Sequence, residues 1–302
     1  MKVLICDPLA ESAIARLREA GLEVVERTGM SPEELAAELA KGYEAIVVRS
    51  ATKVRKAAID AAVGLKLIVR AGVGLDNIDV EYAREKGIQV RNTPRASTDS
   101  VAELALAHML ALARSLPQAT ISLREGKWEK KAFKGIELSG KTLGVIGIGR
   151  IGQAVARRAL CLGMRVIAFD KFVKESPLPE VRMVSLEELL READFITLHV
   201  PADPAGPVIG QREIALMKDG AYLINCARGG VVDEAALLSA LNSGKLAGAG
   251  LDVFEEEPPQ NMELLRHPKV SLTPHIGAQT KEAQARVGDE VVDILLEFAR
   301  SS

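Results

Sequence analysis

Residues 142–158 read T-L-G-V-I-G-I-G-R-I-G-Q-A-V-A-R-R, and no stretch constrains the fold more. An apolar run, Thr142 to Ile146, predicts a buried strand. A helix is predicted over Ile151–Leu162, closed by Gly163, and a second strand, RVIAFD, follows at 165–170. Gly147, Gly149 and Gly152 fall at G-x-G-x-x-G spacing in the turn between them. That pattern alone is common. Between a strand and a helix, with an acid at the end of the next strand, it is specific for a dinucleotide site. Gly147 permits the tight turn, Gly149 lets backbone approach a pyrophosphate, and Gly152 lets helix and strand pack closely. The helix N-terminus offers free N–H groups and the positive end of its dipole. Asp170 can accept hydrogen bonds from both ribose hydroxyls and would repel a 2′-phosphate, so the expected cofactor is NAD rather than NADP. Without a ligand the same stretch would be a glycine-rich turn.

The rest of the chain alternates in the same way. Short apolar runs at 2–6, 22–26, 44–50, 65–72 and 88–92 are separated by helical patterns, the second opened by Ser31-Pro32-Glu33-Glu34 as a capping box. A second alternating block runs from Lys141 to about Pro274. Strands separated by helices imply parallel sheets. The fold class expected is α/β, two doubly wound parallel-sheet (Rossmann/flavodoxin-like) domains with a cleft between them. With 302 residues and 48% hydrophobic content there is material for two cores. Residues 98–115 predict one helix, apolar around most of its circumference and suited to a buried or subunit contact. Residues 117–139 read as an irregular stretch with a charged arm, EGKWEKKAFKG. The last segment, from Thr280, predicts an amphipathic helix returning to the first domain.

Composition excludes several classes. A net charge of −2 gives no basic field for nucleic acid. The apolar runs are too short for a membrane span or a secretory signal, so a cytoplasmic protein is expected. Cys6, Cys161 and Cys226 lack CxxC spacing and sit in apolar stretches, which predicts buried thiols. The four histidines show no metal-ligand spacing, so no metal is expected.

Ligands of open α/β sheets lie beyond the carboxyl ends of the strands. In the second block those ends carry Arg228, then Glu255-Glu256-Glu257, then His275 in L-T-P-H-I-G. These residue types suit hydride transfer between an alcohol carbon and NAD. A histidine can take or give the hydroxyl proton near neutral pH. A carboxylate behind it can orient the ring and favour its charged form. An arginine can grip a substrate carboxylate with two hydrogen bonds. From the residues alone the three glutamates compete. The other three histidines read differently: His108 as a buried structural or interface residue, His199 as a neighbour of the cofactor, His267 as exposed. In the first block, Arg49-Ser50-Ala51-Thr52-Lys53 and Arg70-Ala71-Gly72-Val73-Gly74 each follow a strand. Their cations and glycine-loop amides suit carboxylate and phosphate; ordinary surface charge is the plain alternative.

The stretches GVIGIGRIGQAVA, INCARGGVVDE, GLDVFEEEPP and LTPHIGAQT resemble the D-2-hydroxyacid dehydrogenase family over nearly the whole chain. VRSATKV, RAGVGLDNID and EGKWEKKAF narrow the resemblance to its phosphoglycerate-oxidising branch, in a short form without a C-terminal regulatory domain. Glyoxylate or hydroxypyruvate reduction, and NAD sensing by a corepressor of the same fold, are the competing functions. The resemblance implies a discontinuous substrate-binding domain, 1–93 plus 280–302, and an NAD-binding Rossmann domain, 94–279. It makes Arg228 the substrate-orienting cation, selects Glu257 as the carboxylate partner and makes His275 the acid/base. It places Arg150, Ile151, Asp170, Val200, Cys226, Ala227, Asp252, Gly277 and Ala278 with the glycine loop around the cofactor. It assigns a phosphorylated 2-hydroxy acid to Arg49, Ser50, Lys53 and residues 70–74, and implies a homodimer packed through the NAD-binding domain. Two positions depart from the pattern, Val73 and Val200, which stand where threonine is common: at Val73 one hydrogen bond to cofactor or substrate is expected to be missing, and at Val200 contact is expected to be apolar or through the backbone.

Overall fold

The computed structural model describes residues 1–301. The chain divides into two compact units, Met1–Ser97 with Ala278–Ser302, and Thr98–Gly277.

The first unit is a five-stranded parallel sheet in the order β2-β1-β3-β4-β5. Its strands are β1 (Lys2–Ile5), β2 (Glu23–Glu26), β3 (Ala45–Val48), β4 (Leu67–Arg70) and β5 (Gln89–Asn92). Helices α1 (Glu11–Glu19), α2 (Pro32–Leu39), α3 (Lys56–Ala61) and α4 (Val80–Glu85) connect them, and the last helix, α12 (Lys281–Ser301), joins the same unit. The central strands β1, β3 and β4 are apolar on both faces, because helices cover both. Val287, Val291, Leu295 and Phe298 of α12 pack with Val3, Ile5 and Leu17 on one face; Leu35, Leu39 and Ile59 pack with Leu4 and Ile46 on the other. The capping box at α2 forms as its sequence predicts: Ser31 Oγ accepts from the Glu34 N–H and Glu34 accepts from the Ser31 N–H. Residues 94–97 and 278–279, expected with the other domain, fall in this unit. The reason is local: Ala96 is in the apolar core with α12, Arg286 Nε donates to Ala96 O, and Gln284 Nε2 donates to Ala278 O.

The second unit opens with α5 (Thr98–Ala113) and α6 (Leu116–Arg124). Its strands are β6 (Thr142–Ile146), β7 (Arg165–Phe169), β8 (Arg182–Met183), β9 (Phe195–Leu198), β10 (Ala221–Asn225), β11 (Leu246–Leu251) and β12 (Val270–Leu272). Their order is β12-β11-β10-β9-β6-β7-β8, all parallel. The strand order reverses at β6, the switch point where such sheets take ligands. The helices are α7 (Arg150–Cys161), α8 (Leu186–Glu192), α9 (Gln211–Leu216), α10 (Glu234–Ser243) and α11 (Met262–Arg266). Helices α5 and α7 cover one face through Val101, Ala105, Met109, Val155 and Ala159; α8 and α10 cover the other through Leu189, Leu190, Leu237 and Leu241. Met109 and Phe195 are fully buried, each contributing roughly 2–3 kcal/mol of apolar burial.

Two expectations are corrected here. Part of the stretch expected to be irregular is helix α6. Ser115, with φ 50°, breaks the chain from α5, and Pro117 sits in the first turn. Leu116, Ile121 and Leu123 are exposed, so no inward apolar stripe announces the helix. Cys161 is also exposed, at the last turn of α7 away from its buried face, whereas Cys6 and Cys226 are buried free thiols.

Candidate active site

The glycine turn after β6 has the geometry its residue types require. Gly147 lies at φ 93°, and a Cβ there would stand 2.5 Å from His199 O. A Cβ on Gly152 would stand 2.0 Å from Gly147 O, so only glycine lets α7 start this close to the turn. Around Gly149 there is open space, with nothing within 4 Å of a Cβ position. Gly149 is the N-cap of α7 and no side chain caps it; with Arg150 it is exposed, while Ile151 is half-buried. An uncapped helix N-terminus beside open space fits a pyrophosphate. Asp170, at the end of β7, accepts from Ile148 N at 3.0 Å and from Phe172 N and Val173 N at 2.8 and 3.1 Å. It therefore ties its own loop to the glycine turn. Val200 packs an apolar methyl towards Gly147. Cys226 is buried, and burial, helped by the Asp252 charge, pushes its thiol well up and out of nucleophilic range.

The ends of β10, β11 and β12 meet beyond the sheet. Asn225 is 2% exposed and folds the β10 end. Its Oδ1 accepts from Ala227 N and its Nδ2 donates to Arg228 O. The half-buried Arg228 donates to Ala227 O at 2.6 Å. A Cβ on Gly229 would stand 1.7 Å from Phe254 O. The absence of a side chain there brings the Arg228 loop against the loop carrying Glu257. Glu257 accepts from Phe254 N through Oε1, and its Oε2 lies 2.7 Å from His275 Nδ1. Of the three adjacent glutamates it is thus Glu257 that reaches the histidine. Glu255 points elsewhere: Glu234 N donates to its carboxylate while its own N–H donates to Glu234. His275 and Glu257 are both part-exposed, with side chains at 46% and 38%. His275 is one of two non-glycine residues described with positive φ, at 53°, a conformation that costs roughly 1 kcal/mol for an L-residue. Asp252 is 1% exposed. Its Oδ1 accepts from Thr273 Oγ1 and Ile276 N, its Oδ2 from Gly277 N, so it addresses the His275 turn. Ala278 begins the return to the first unit.

In the first unit, the loop after β3 is shaped by buried polar groups. Arg49 N and Thr52 N donate to the Asp7 carboxylate, and Asn77 Nδ2 donates to Arg49 O and Thr52 O. Ser50 and Lys53 are exposed. Partial burial lowers the Arg49 pKa, and Asp7 opposes that shift. In the loop after β4, Gly72 lies at φ 151° and a Cβ would overlap the Arg70 guanidinium. That guanidinium folds back over it, donating to Ala71 O at 3.5 Å. Asn92 Nδ2 donates to Val73 O, and Thr93 N to Gly72 O. Ala71 is buried, and Gly74 half-buried.

Residues 106–277 match the family described as D-isomer specific 2-hydroxyacid dehydrogenase, NAD binding domain. The chain is 52% identical, over 97% of its length and 96% of the relative's, to hydroxypyruvate reductase of Thermotoga maritima. It belongs to the D-isomer specific 2-hydroxyacid dehydrogenase family. It is also 52% identical to D-3-phosphoglycerate dehydrogenase of Methanocaldococcus jannaschii, over 99% of this chain and 58% of that one. The chain thus spans little more than half the length of such curated relatives. A solved structure of D-lactate dehydrogenase from Aquifex aeolicus, complexed with NAD and lactic acid, superposes with a TM-score of 0.89 at 34% identity, covering 100% of this chain and 96% of that one. The residues that match the family's NAD binding domain lie within the second unit.

Polar residues that motif reading passed over also shape these loops: Asp7, Asn77, Asn92, Asn225 and Thr273. Asp7 was findable, because it follows strand β1 at the same edge as the other site residues. The asparagines act on backbone carbonyls of neighbouring loops, and no spacing signals that. His199 Nε2 pairs with Thr197 Oγ1, while its Nδ1 is buried without a hydrogen bond; burial drops its pKa to about 3. His267, expected to be exposed, is half-buried because Lys269 N donates to its Nδ1 as the chain turns into β12. Among the described residues no cluster of three or more His, Cys, Asp or Glu could hold a metal, and no helix is long and apolar enough to cross a membrane.

Proposed function

We propose that the chain is an NAD-dependent D-3-phosphoglycerate dehydrogenase, oxidising 3-phosphoglycerate to 3-phosphohydroxypyruvate on the route to serine. The observation that carries the reading is the 2.7 Å pair of His275 Nδ1 and Glu257 Oε2 next to the Arg228 loop. His275 takes the substrate hydroxyl proton on Nε2, while Glu257 holds Nδ1–H and stabilises the imidazolium. Arg228 orients the substrate carboxylate and polarises the oxygen that becomes a carbonyl. Bound NAD supplies the hydride acceptor. The glycine turn, with Arg150 and Ile151, receives its pyrophosphate, and Asp170 keeps a free lone pair on Oδ2 for the ribose. Val200, Cys226 and Ala227 line the cofactor side, and Asp252 acts on it through Gly277 and Ala278. Arg49, Ser50, Lys53 and the Arg70–Gly74 loop read the phosphorylated end of the substrate. The domains so defined are substrate-binding and NAD-binding respectively.

A second reading, hydroxypyruvate or glyoxylate reduction, is favoured by the full-length similarity to the Thermotoga reductase. The test is NADH oxidation with 3-phosphohydroxypyruvate, hydroxypyruvate and glyoxylate offered separately. A large preference for the phosphorylated acid, lost in Arg49→Ala, supports the first reading. Equal or better turnover of the unphosphorylated acids replaces it with the second.

The active form is a homodimer through the second unit. Leu110, Leu116, Ile121, Leu123 and Trp128 are all exposed within α5, α6 and the following arm, an apolar concentration that a partner would cover. An Ile121→Glu variant that stays dimeric by solution mass would count against that face. The buried thiols Cys6 and Cys226 suit a reducing cytoplasm.

A further inference from the structure

His108 is a buried histidine outside the proposed catalytic set. It sits mid-way along α5 at 2% exposure, against β11, where a Cβ on Gly250 would stand 2.7 Å from its own Cβ. Both ring nitrogens are engaged: Nδ1 lies 2.9 Å from Ser271 Oγ and Nε2 lies 3.0 Å from Thr273 Oγ1. Thr273 Oγ1 is in turn 2.6 Å from Asp252 Oδ1.

The direction of every bond in this chain follows from proton counting. Asp252 is an acceptor that already takes the N–H groups of Ile276 and Gly277. The single hydroxyl proton of Thr273 therefore goes to Asp252. Thr273 Oγ1 must then accept from His108, which puts a proton on Nε2. A neutral ring so protonated leaves Nδ1 as an acceptor for the Ser271 hydroxyl. Burial favours that neutral form by lowering the pKa of His108, with Asp252, the charged group facing it, pulling the other way. The relay runs Ser271 to His108 to Thr273 to Asp252, and ends on the two amides that follow His275.

We infer that His108 is a positioning residue: its neutral Nε2–H form holds the Thr273 hydroxyl on Asp252, and through it the turn that presents His275. The inference rests on the reading of His275 as the proton carrier. The turn needs outside support. His275 is held in the left-handed region at φ 53°, and its part-exposed side chain pairs with Glu257. Among the described residues the only local backbone bond across Pro274 runs from His275 N to Thr273 O. Thr273 thus anchors the turn twice, by its carbonyl and by its hydroxyl, and His108 fixes which way the hydroxyl faces.

The test combines a spectroscopic and a kinetic arm. In protein labelled with ¹⁵N-histidine, four histidines can be assigned by single substitutions. His108 should show a protonated Nε2 and an unprotonated Nδ1, unchanged from pH 6 to pH 9. The opposite tautomer, or a doubly protonated ring at pH 7, overturns the relay without reference to activity. In kinetics, His108→Leu keeps most of the volume and removes both bonds; kcat should fall about tenfold, the cost of a small misplacement of a reacting group. NADH affinity should change less than twofold. His108→Gln, whose amide can still donate towards Thr273, should recover most of the loss, and Thr273→Val should add little on top of His108→Leu. Leu and Gln variants with equal kcat, or additive losses with Thr273→Val, would reduce His108 to a packing residue. If His275→Ala retained full turnover, the reading of the site would fall instead, whatever His108 does.

Discussion

Both units are parallel sheets between helices, with different strand orders, and they give the first strand–helix turn opposite chemistry. After β6 the turn is Gly147–Gly152, with an uncapped helix N-terminus and open space at Gly149. After β1 the turn is Cys6-Asp7-Pro8-Leu9-Ala10, without a glycine. There Asp7, 4% exposed, turns its own carboxylate onto Arg49 N and Thr52 N. An internal anion thus stands at the end of β1 and organises the loop after β3. A parallel sheet therefore offers a binding edge, and the turn residues decide whether that edge takes a ligand or organises a neighbouring loop.

The largest effect belongs to the edge of the second unit. His275→Ala should lower kcat by about a thousandfold, within the range for removal of a general acid/base, with NADH affinity unchanged by fluorescence titration. A comparable kcat loss from a charge removal at Lys53 would break the division of labour between the units.

Next comes the turn itself. Gly152→Ala puts a Cβ 2.0 Å from Gly147 O, and backbone cannot yield as a flexible side chain can. NADH binding should weaken by a hundredfold or more, while Ala10→Gly in the corresponding turn of the first unit should leave it unchanged. Loss of NADH binding in Ala10→Gly would mean that the two turns are not functionally distinct.

The units should also differ in acid. All four histidines lie in the second unit. His199 is neutral in the folded protein, with a pKa of about 3 against an ordinary 6.5. Below pH 6.5 the unfolded chain takes up a proton that the folded one refuses, so stability is lost as pH falls. By pH 5 the loss from this group is on the order of 2 kcal/mol. Urea midpoints at pH 7 and pH 5 should therefore separate more in wild type than in His199→Gln. An equal separation would place the acid sensitivity elsewhere.

This contrast shows what sequence can carry. The alternation of strands and helices, the glycine turn, the Ser31 capping box and the residues at strand ends are local patterns, and each is legible in the one-dimensional string. Helix α6 is not, because Ile121 and Leu123 face solvent and leave no periodic inward stripe. The choice of Glu257 among three glutamates needs the Gly229 approach to Phe254 O, which joins residues distant in sequence. Asp252 shows the same limit from the other side. Its place at a strand end is visible, but the Thr273, Ile276 and Gly277 partners that give it a function are not.

The smallest effect tests Asp7 itself. Asp7→Ala removes the acceptor for Arg49 N and Thr52 N, leaving the loop to Asn77 and to the Thr52 hydroxyl, which donates to Cys6 O. The remaining bonds to Asn77 and Cys6 O still close the loop, so the fold should survive. What is lost is the fixed direction of Arg49, whose charge Asp7 also supports. KM for the phosphorylated keto acid should rise about tenfold, with kcat and NADH affinity within twofold of wild type. Asp7→Asn should fall between the two, since its amide oxygen can accept one of the bonds but brings no charge. If both variants instead gained affinity for inorganic phosphate at this turn, the carboxylate would be excluding an anion site that the sheet still offers. The two units would then differ by one side chain rather than by the shape of the turn.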